Sequence, residues 1–188
     1  MENQAFIDGL HNRTSCAQLE APAPSEAQLE VLFKAAFRAA DHRQLKPWRF
    51  LVIEDAGLNA LGELFLSAKD KAGSQLTEED RIRTRSLPKR APMVIVAIAS
   101  IREDPKVPAT EQLLATAAAV QNMLNAAFAM GLGAIWRTGD LAENPDVATG
   151  LGLASNEKMV AFLYLGTPKI PFRLPPAPDI KNHVSQWP

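Results

Sequence analysis

The apolar residues between positions 25 and 71 repeat at the spacing of two amphipathic helices. A stripe from Leu29 to Ala40 recurs at i, i+3, i+4 and i+7, which predicts a helix with one face on a core. Ser25 followed by Gln28 has the capping-box pattern that begins such a helix. Residues 57–71 repeat the same spacing and predict a second helix of this kind.

Four apolar runs of strand length predict the sheet. Residues 93–99 are continuously apolar and partly β-branched, as in a strand that is buried on both faces. The runs at residues 49–53, 133–136 and 159–166 predict three more strands. Helices and strands together predict an α+β domain, in which a mixed β-sheet of about four strands is wrapped by helices.

The second half of the chain contains a long apolar helix and a proline-rich end. Residues 110–130 are apolar almost all the way round, which predicts a buried helix, central either to the domain or to a subunit interface. Gly131 is a suitable C-terminal glycine for it. We interpret residues 1–188 as a single domain, of which residues 167–188 are a proline-rich, extended tail that cannot be helical.

Composition and charge exclude several classes of function. The chain has 20 Lys and Arg against 21 Asp and Glu, so nothing suggests a nucleic-acid-binding surface. The single cysteine, Cys16, rules out an internal disulfide and suits a reducing compartment. No apolar run approaches the ~20 residues of a membrane span, and the N-terminus lacks the pattern of a signal peptide. We expect a cytoplasmic protein without a membrane partner.

Two polar stretches are candidates for a binding site. Charged and aromatic residues are dense between Arg38 and Arg49, at a predicted junction of helix and strand where binding sites are often built. The alternative is a solvated loop that Pro47 and Trp48 anchor to the core. At residues 12–15 a guanidinium and two hydroxyls could surround a phosphate, or could form a polar helix end. No spacing suits a zinc site, a Ser-His-Asp triad or a dinucleotide fingerprint.

Four motifs in this order resemble the nitroreductase family of FMN-dependent oxidoreductases, in particular its small bacterial YdjA-like branch. They are Asn-Arg-Thr-Ser at residues 12–15, Arg-Ala-Ala-Asp-His followed by Lys-Pro-Trp-Arg-Phe between residues 38 and 50, Gly-Leu-Gly-Ala-Ile-Trp-Arg-Thr-Gly at residues 131–139, and Phe-Leu-Tyr-Leu-Gly-Thr-Pro at residues 162–168. Thr14 stands where the family has a second arginine, and Ala40 where it has a proline.

The resemblance implies a homodimer with FMN sites at the subunit interface and NAD(P)H as co-substrate. In this branch the residues that match Arg38 and His42 come from the other subunit, whereas Arg13 and Ser15 match the phosphate side. The implied cofactor-binding residues are Arg13, Thr14, Ser15, Arg38, His42, Trp136, Arg137 and Thr138. No obligatory catalytic residue and no metal are expected, because hydride transfer is the chemistry of the cofactor.

The implied function is the two-electron, ping-pong reduction of small nitro-aromatic, quinone or similar acceptors. One alternative is a flavin-binding storage or sensor protein without significant turnover. Another is an interaction domain that uses its alanine-rich helix and binds no flavin. Retention of flavin, and its reduction by NAD(P)H, discriminate between the three.

Overall fold

The computed structural model describes residues 3–188, which form seven α-helices and five β-strands. The helices are α1 (Gln4–Asn12), α2 (Glu26–Ala36), α3 (Ala56–Lys71), α4 (Glu78–Ser86), α5 (Ala109–Ala129), α6 (Asp140–Glu143) and α7 (Pro145–Gly150). The strands are β1 (Leu19–Glu20), β2 (Trp48–Glu54), β3 (Met93–Ser100), β4 (Gly133–Arg137) and β5 (Glu157–Pro168). Each strand expected from the apolar runs is present, and a two-residue β1 is added.

The sheet is antiparallel, so the expectation of a mixed sheet is wrong for the described residues. Its four longer strands lie in the order β4-β5-β3-β2, and β1 pairs with the C-terminal end of β5. All the pairings are antiparallel. The strands β3 and β4, joined through α5, run in the same direction, but β5 lies between them and pairs with both. No parallel pair can therefore form there.

Helices cover both faces of the sheet. On one face α3 packs Leu61 and Phe65 against Val96 and Phe162. On the other face the apolar residues of α2 and α5 pack on the opposite side chains of β3 and β5. β3 is accordingly buried on both faces, with residues 93–99 at most 1% exposed, which confirms the prediction for this run.

Local signals fix where the helices begin and end. The capping box of Ser25 and Gln28 is present in both directions, and Gly131 follows α5 with a φ of 72°. The predicted stripe of α2, however, ends early, because the last turn tightens. Arg38 and Ala39 donate to the carbonyls of residues three positions back, and Phe37 is left 55% exposed.

The long helix α5 buries only one of its faces within a single chain. Val120 and Met123 are fully buried, whereas Leu114 on the other side is 63% exposed. Among residues 3–188, no helix is both long enough and apolar enough to cross a membrane. After Pro168 the chain leaves the sheet, and its regular structure is limited to one short 3₁₀ turn at Ile180–Asn182.

Candidate functional site

Trp136, Arg137 and Thr138 lie together in a cleft at the end of β4, here called the β4 cleft. It has a volume of about 400 Å³, and Arg90, Leu87, Phe162 and Tyr164 also line it. The strand positions these residues firmly, because Trp136 and Arg137 pair with Leu163 and Phe162 of β5. The indole Nε1 of Trp136 also donates to the carbonyl of Val160, at 3.2 Å. The structure thus brings three of the predicted site residues together.

Arg137 contributes a buried, unpaired hydrogen-bond donor beside this cleft. Of the buried side-chain nitrogen and oxygen atoms of residues 3–188, its Nε is the one that has no hydrogen-bond partner. An unpaired buried donor costs free energy, about 1–3 kcal/mol and more if charged, so such a group commonly has a ligand or an ordered water as its partner. The guanidinium carbon lies 6.0 Å from the centre of the Tyr164 ring.

Tyr164 contributes a neutral hydroxyl to the same cleft. Burial raises the pKa of Tyr164 above its ordinary value, and the positive charges of Arg137 and Arg90 oppose that shift in part. The phenol therefore stays protonated at neutral pH. The β4 cleft presents two arginines and a hydroxyl, a set that suits an anionic or electron-rich ligand.

Thr14 and Ser15 line a second, smaller groove of about 260 Å³, here called the N-terminal groove. The backbone N–H of Cys16 donates to the carbonyl of Ala134 at 2.9 Å, which holds this segment beside β4. Strands advance about 3.3 Å per residue, so this contact is roughly 10 Å along β4 from Arg137. One extended ligand could reach both places. Arg13 is half-buried at the C-terminal end of α1.

Arg173 also lines the N-terminal groove, although no sequence motif pointed to this residue. The residue stands in the proline-rich tail, far from Thr14 and Ser15 along the chain. Tertiary contacts bring it there: the N–H of Lys169 donates to the carbonyl of Gln18, and the ring of Phe172 packs 5.0 Å from that of Phe128. The groove thereby gains a cation beside Thr14 and Ser15.

Arg38 lines a third and larger surface, here called the aromatic cleft, with a volume of about 950 Å³. Phe33, Phe37, Trp48 and Phe50 supply its apolar part, and the rings of Phe37 and Trp48 stack with their centres 6.3 Å apart. The cleft is open to solvent, and polar side chains form the rest of its lining, among them Asp41, Gln44, Lys46 and Arg49.

The loop between Arg38 and Trp48 is held in a strained conformation. Arg43, Gln44 and Lys46 all have positive φ angles, between 49° and 61°, which are unfavourable for residues other than glycine. The carboxylate of Asp41 accepts a hydrogen bond from the N–H of Lys46, and Thr116 donates to the carbonyl of Pro47 at 3.0 Å. These contacts favour a preformed binding loop over a merely solvated one.

His42 is exposed and does not line the β4 cleft. Its Nδ1 lies 2.9 Å from a carboxylate oxygen of Glu111, at the start of α5. Within a single chain the eight predicted residues are therefore divided among separate surfaces: residues 136–138 in the β4 cleft, Thr14 and Ser15 in the N-terminal groove, and Arg38 in the aromatic cleft.

These features define a helix-covered α+β domain with clefts that charged and aromatic side chains line. Residues 10–167 match the model of the nitroreductase family, which is most of the chain. The protein belongs to the nitroreductase family, and the prediction of an oxidoreductase of this family is confirmed.

Known proteins agree with this assignment over nearly the whole chain. The Escherichia coli (strain K12) protein named "Putative NAD(P)H nitroreductase YdjA" is 40% identical over 164 residues, covering 87% of this chain and 88% of that protein. The crystal structure of a nitroreductase-like family protein from Bacillus cereus has a TM-score of 0.80 at 26% identity, covering 99% and 98% of the two chains. The crystal structure of a "putative nitroreductase in complex with FMN" from Desulfovibrio desulfuricans has a TM-score of 0.74 at 20% identity over both full chains.

Proposed function

We propose that this protein is an FMN-dependent oxidoreductase that uses NAD(P)H for the two-electron reduction of small acceptors. Nitro-aromatic compounds and quinones are the acceptor classes that its family resemblance implies. The relatives support the proposal, since one is named "Putative NAD(P)H nitroreductase YdjA" and another, of the same fold, was crystallised in complex with FMN. The observation that carries it in this chain is Arg137, whose buried Nε has no protein partner among the described residues and whose side chain lines the β4 cleft.

The residues of the β4 cleft fit a flavin. When bound, FMN would supply the redox chemistry of a ping-pong, two-electron transfer from NAD(P)H to the acceptor. Arg137 and Arg90 place positive charge in the cleft, which favours a ligand that becomes more negative on reduction. Trp136 and Phe162 provide an apolar wall against which a planar ring system can pack. Tyr164, kept neutral by burial, can donate one hydrogen bond without adding charge.

The N-terminal groove would hold the phosphate of the cofactor. Ser15 and Thr14 offer hydroxyl donors there, and Arg173 offers a positive charge. Arg13 immediately precedes these hydroxyls and would add a second guanidinium. The proximity of this groove to β4, through the hydrogen bond from Cys16 to Ala134, lets one FMN molecule span both places.

The site would be completed by a second copy of the chain. Arg38 lies in the aromatic cleft, apart from the β4 cleft, so in one chain it does not join the other predicted residues. A dimer partner could bring Arg38 and His42 to the opposite cofactor. Apolar residues that one chain leaves uncovered are available for such an interface, including Phe37 at 55% exposure and Leu114 at 63%.

Two measurements on the purified protein test the proposal. The protein should be yellow, and mass spectrometry of the ligand that heat denaturation releases should find FMN and not FAD. Anaerobic addition of NADH or NADPH should then bleach the bound flavin, and a nitro-aromatic compound or a quinone should restore the colour. A protein that holds FMN but is bleached by neither nicotinamide supports the storage or sensor alternative. A protein that binds no flavin contradicts both.

A further inference from the structure

A second basic cleft lies beside the proposed flavin site, where α3, α4 and the turn that follows α4 meet. It has a volume of about 320 Å³ and is here called the α4 cleft. Its walls carry three cations, Lys69, Arg83 and Arg90, against one carboxylate, that of Asp80. The local charge is therefore positive in a protein whose net charge is −1.

The three cations are free to bind an anion. Within residues 3–188, none of them forms an ion pair with a carboxylate, whereas the two arginines on either side of Arg83 in α4 do. Arg81 makes two hydrogen bonds to Asp70, and Arg85 pairs with Glu63 at 3.0 Å. Along α4, Arg81 and Arg85 are therefore paired, whereas Arg83 between them is not paired with a described carboxylate.

The single carboxylate of the cleft is already engaged. Asp80 accepts hydrogen bonds from the hydroxyl and the N–H of Thr77, at 2.7 and 3.2 Å, and so completes the capping box of α4. These bonds, foremost that of the hydroxyl, lower the pKa of Asp80, and the charges of Arg83 and Lys69 add to the effect. Asp80 therefore stays with its cap and leaves the cations unneutralised by an ion pair.

The α4 cleft adjoins the β4 cleft, because Arg90 and Leu87 line both. A nucleotide bound beside the proposed flavin would pass Arg90 to bring a charged arm to Arg83 and Lys69. We propose that the α4 cleft binds the 2′-phosphate of NADPH and makes this protein prefer NADPH over NADH. The inference rests on the proposed function, since it names the nicotinamide that the same site uses.

The chemistry of the 2′-phosphate matches this cleft. A phosphate monoester carries a charge of about −1.5 to −2 near neutral pH and three acceptor oxygens. Two guanidinium groups can bind such a group through pairs of hydrogen bonds, and a lysine adds a point charge. NADH carries a neutral 2′-hydroxyl in place of this phosphate and would leave the three cations without a counter-charge. The difference in affinity between the two nucleotides should come from these contacts.

The experiment compares two variants with a matched control in the flavin-loaded protein. The variants are Arg83→Gln and the double variant Lys69→Gln/Arg83→Gln, which remove the charge but keep a polar group on an aliphatic stem. Arg83 is exposed, so the single variant is expected to fold normally. The control is Arg85→Gln, on the same helix but paired with Glu63. Steady-state kcat/KM is measured with NADPH and with NADH, and calorimetry measures direct binding of 2′,5′-ADP and of 5′-AMP.

The wild-type protein should prefer NADPH, and the double variant should lose about tenfold or more in kcat/KM for NADPH while NADH changes little. Binding of 2′,5′-ADP should weaken in parallel, binding of 5′-AMP should not, and Arg85→Gln should behave as wild type. Higher salt should reduce the preference, because exposed charges are screened. Equal use of both nucleotides by the wild type would overturn the proposal.

Equal losses for NADPH and NADH in the double variant would also overturn it, since they would assign the cations to the shared pyrophosphate. Failure of the proposed function looks different: a protein without flavin, or one that neither nicotinamide reduces. The calorimetric comparison of 2′,5′-ADP with 5′-AMP still tests the α4 cleft in that case.

Discussion

Replacing Glu157 by Gln should destabilise the protein at neutral pH and remove part of its sensitivity to acid. The carboxylate of Glu157 accepts four hydrogen bonds: two from Arg49 at 2.7 and 2.6 Å, one from the Ser100 hydroxyl at 2.7 Å and one from the N–H of Ala154 at 3.0 Å. It ties the start of β2, which borders the aromatic cleft, to the start of β5. An amide cannot accept both bonds from Arg49 and would point its own donors at a guanidinium.

The magnitude follows from the pKa. The bonds from Arg49, supported by those from Ser100 and Ala154, lower the pKa of Glu157 from 4.5 to about 2. A shift of this size corresponds to about 3 kcal/mol of stability. The Glu157 side chain is 10% exposed but that of Arg49 is 35% exposed, so solvent screening reduces the value to about 1–3 kcal/mol.

The sign of the pH dependence is determined by the lowered pKa. Because the pKa of Glu157 is lower in the folded state, its ionised carboxylate stabilises that state fully at pH values above the unfolded pKa of 4.5. This stabilisation is lost as the pH falls towards about 2. In urea denaturation the free energy of unfolding should therefore be higher for wild type than for Glu157→Gln at about pH 7. The difference between the two should shrink by roughly half or more at about pH 3.

A control variant separates this network from ordinary surface charge. Glu30→Gln removes an exposed pair with Lys34, and the stability should hardly change at either pH. A gap between wild type and Glu157→Gln that stays the same from pH 7 to pH 3 would refute the assigned role of the carboxylate.

Two further predictions address the cofactor site. Arg13→Ala should weaken FMN binding by roughly 1.5–3 kcal/mol, about tenfold to over a hundredfold, but leave riboflavin binding almost unchanged. Reconstitution titrations measure both affinities, with Lys34→Ala as an exposed control. Equal losses for FMN and riboflavin would place Arg13 away from the phosphate. If two chains share each site, co-refolding an Arg13→Ala/Ser15→Ala chain with an Arg38→Ala/His42→Ala chain should restore about a quarter of wild-type flavin binding, since about half the dimers are mixed and each has one intact site. No recovery, with mixed dimers shown to form, would contradict shared sites.

Local sequence patterns predicted most of the elements, because each depends on neighbouring residues. Three features appear where the sequence indicated: the capping box at Ser25, the strand β3 that is buried on both faces, and the glycine after α5. The motif at residues 131–139 likewise located the β4 cleft, since Trp136, Arg137 and Thr138 are adjacent in the chain. The early end of α2 shows the limit of periodicity, which follows apolar spacing and not the hydrogen bonds that close a final turn.

The sequence by itself determined the family, the order of helices and strands, and the segment at the end of β4 that carries Arg137. Only the tertiary structure decided that the sheet is antiparallel, because β5 inserts between β3 and β4. It also decided that Arg173 joins Thr14 and Ser15, and that Arg90 links two basic clefts. The physical reason is that strand pairing and charge clustering depend on residues far apart in the chain, which packing alone brings into contact, whereas helix periods and caps are settled within a few residues.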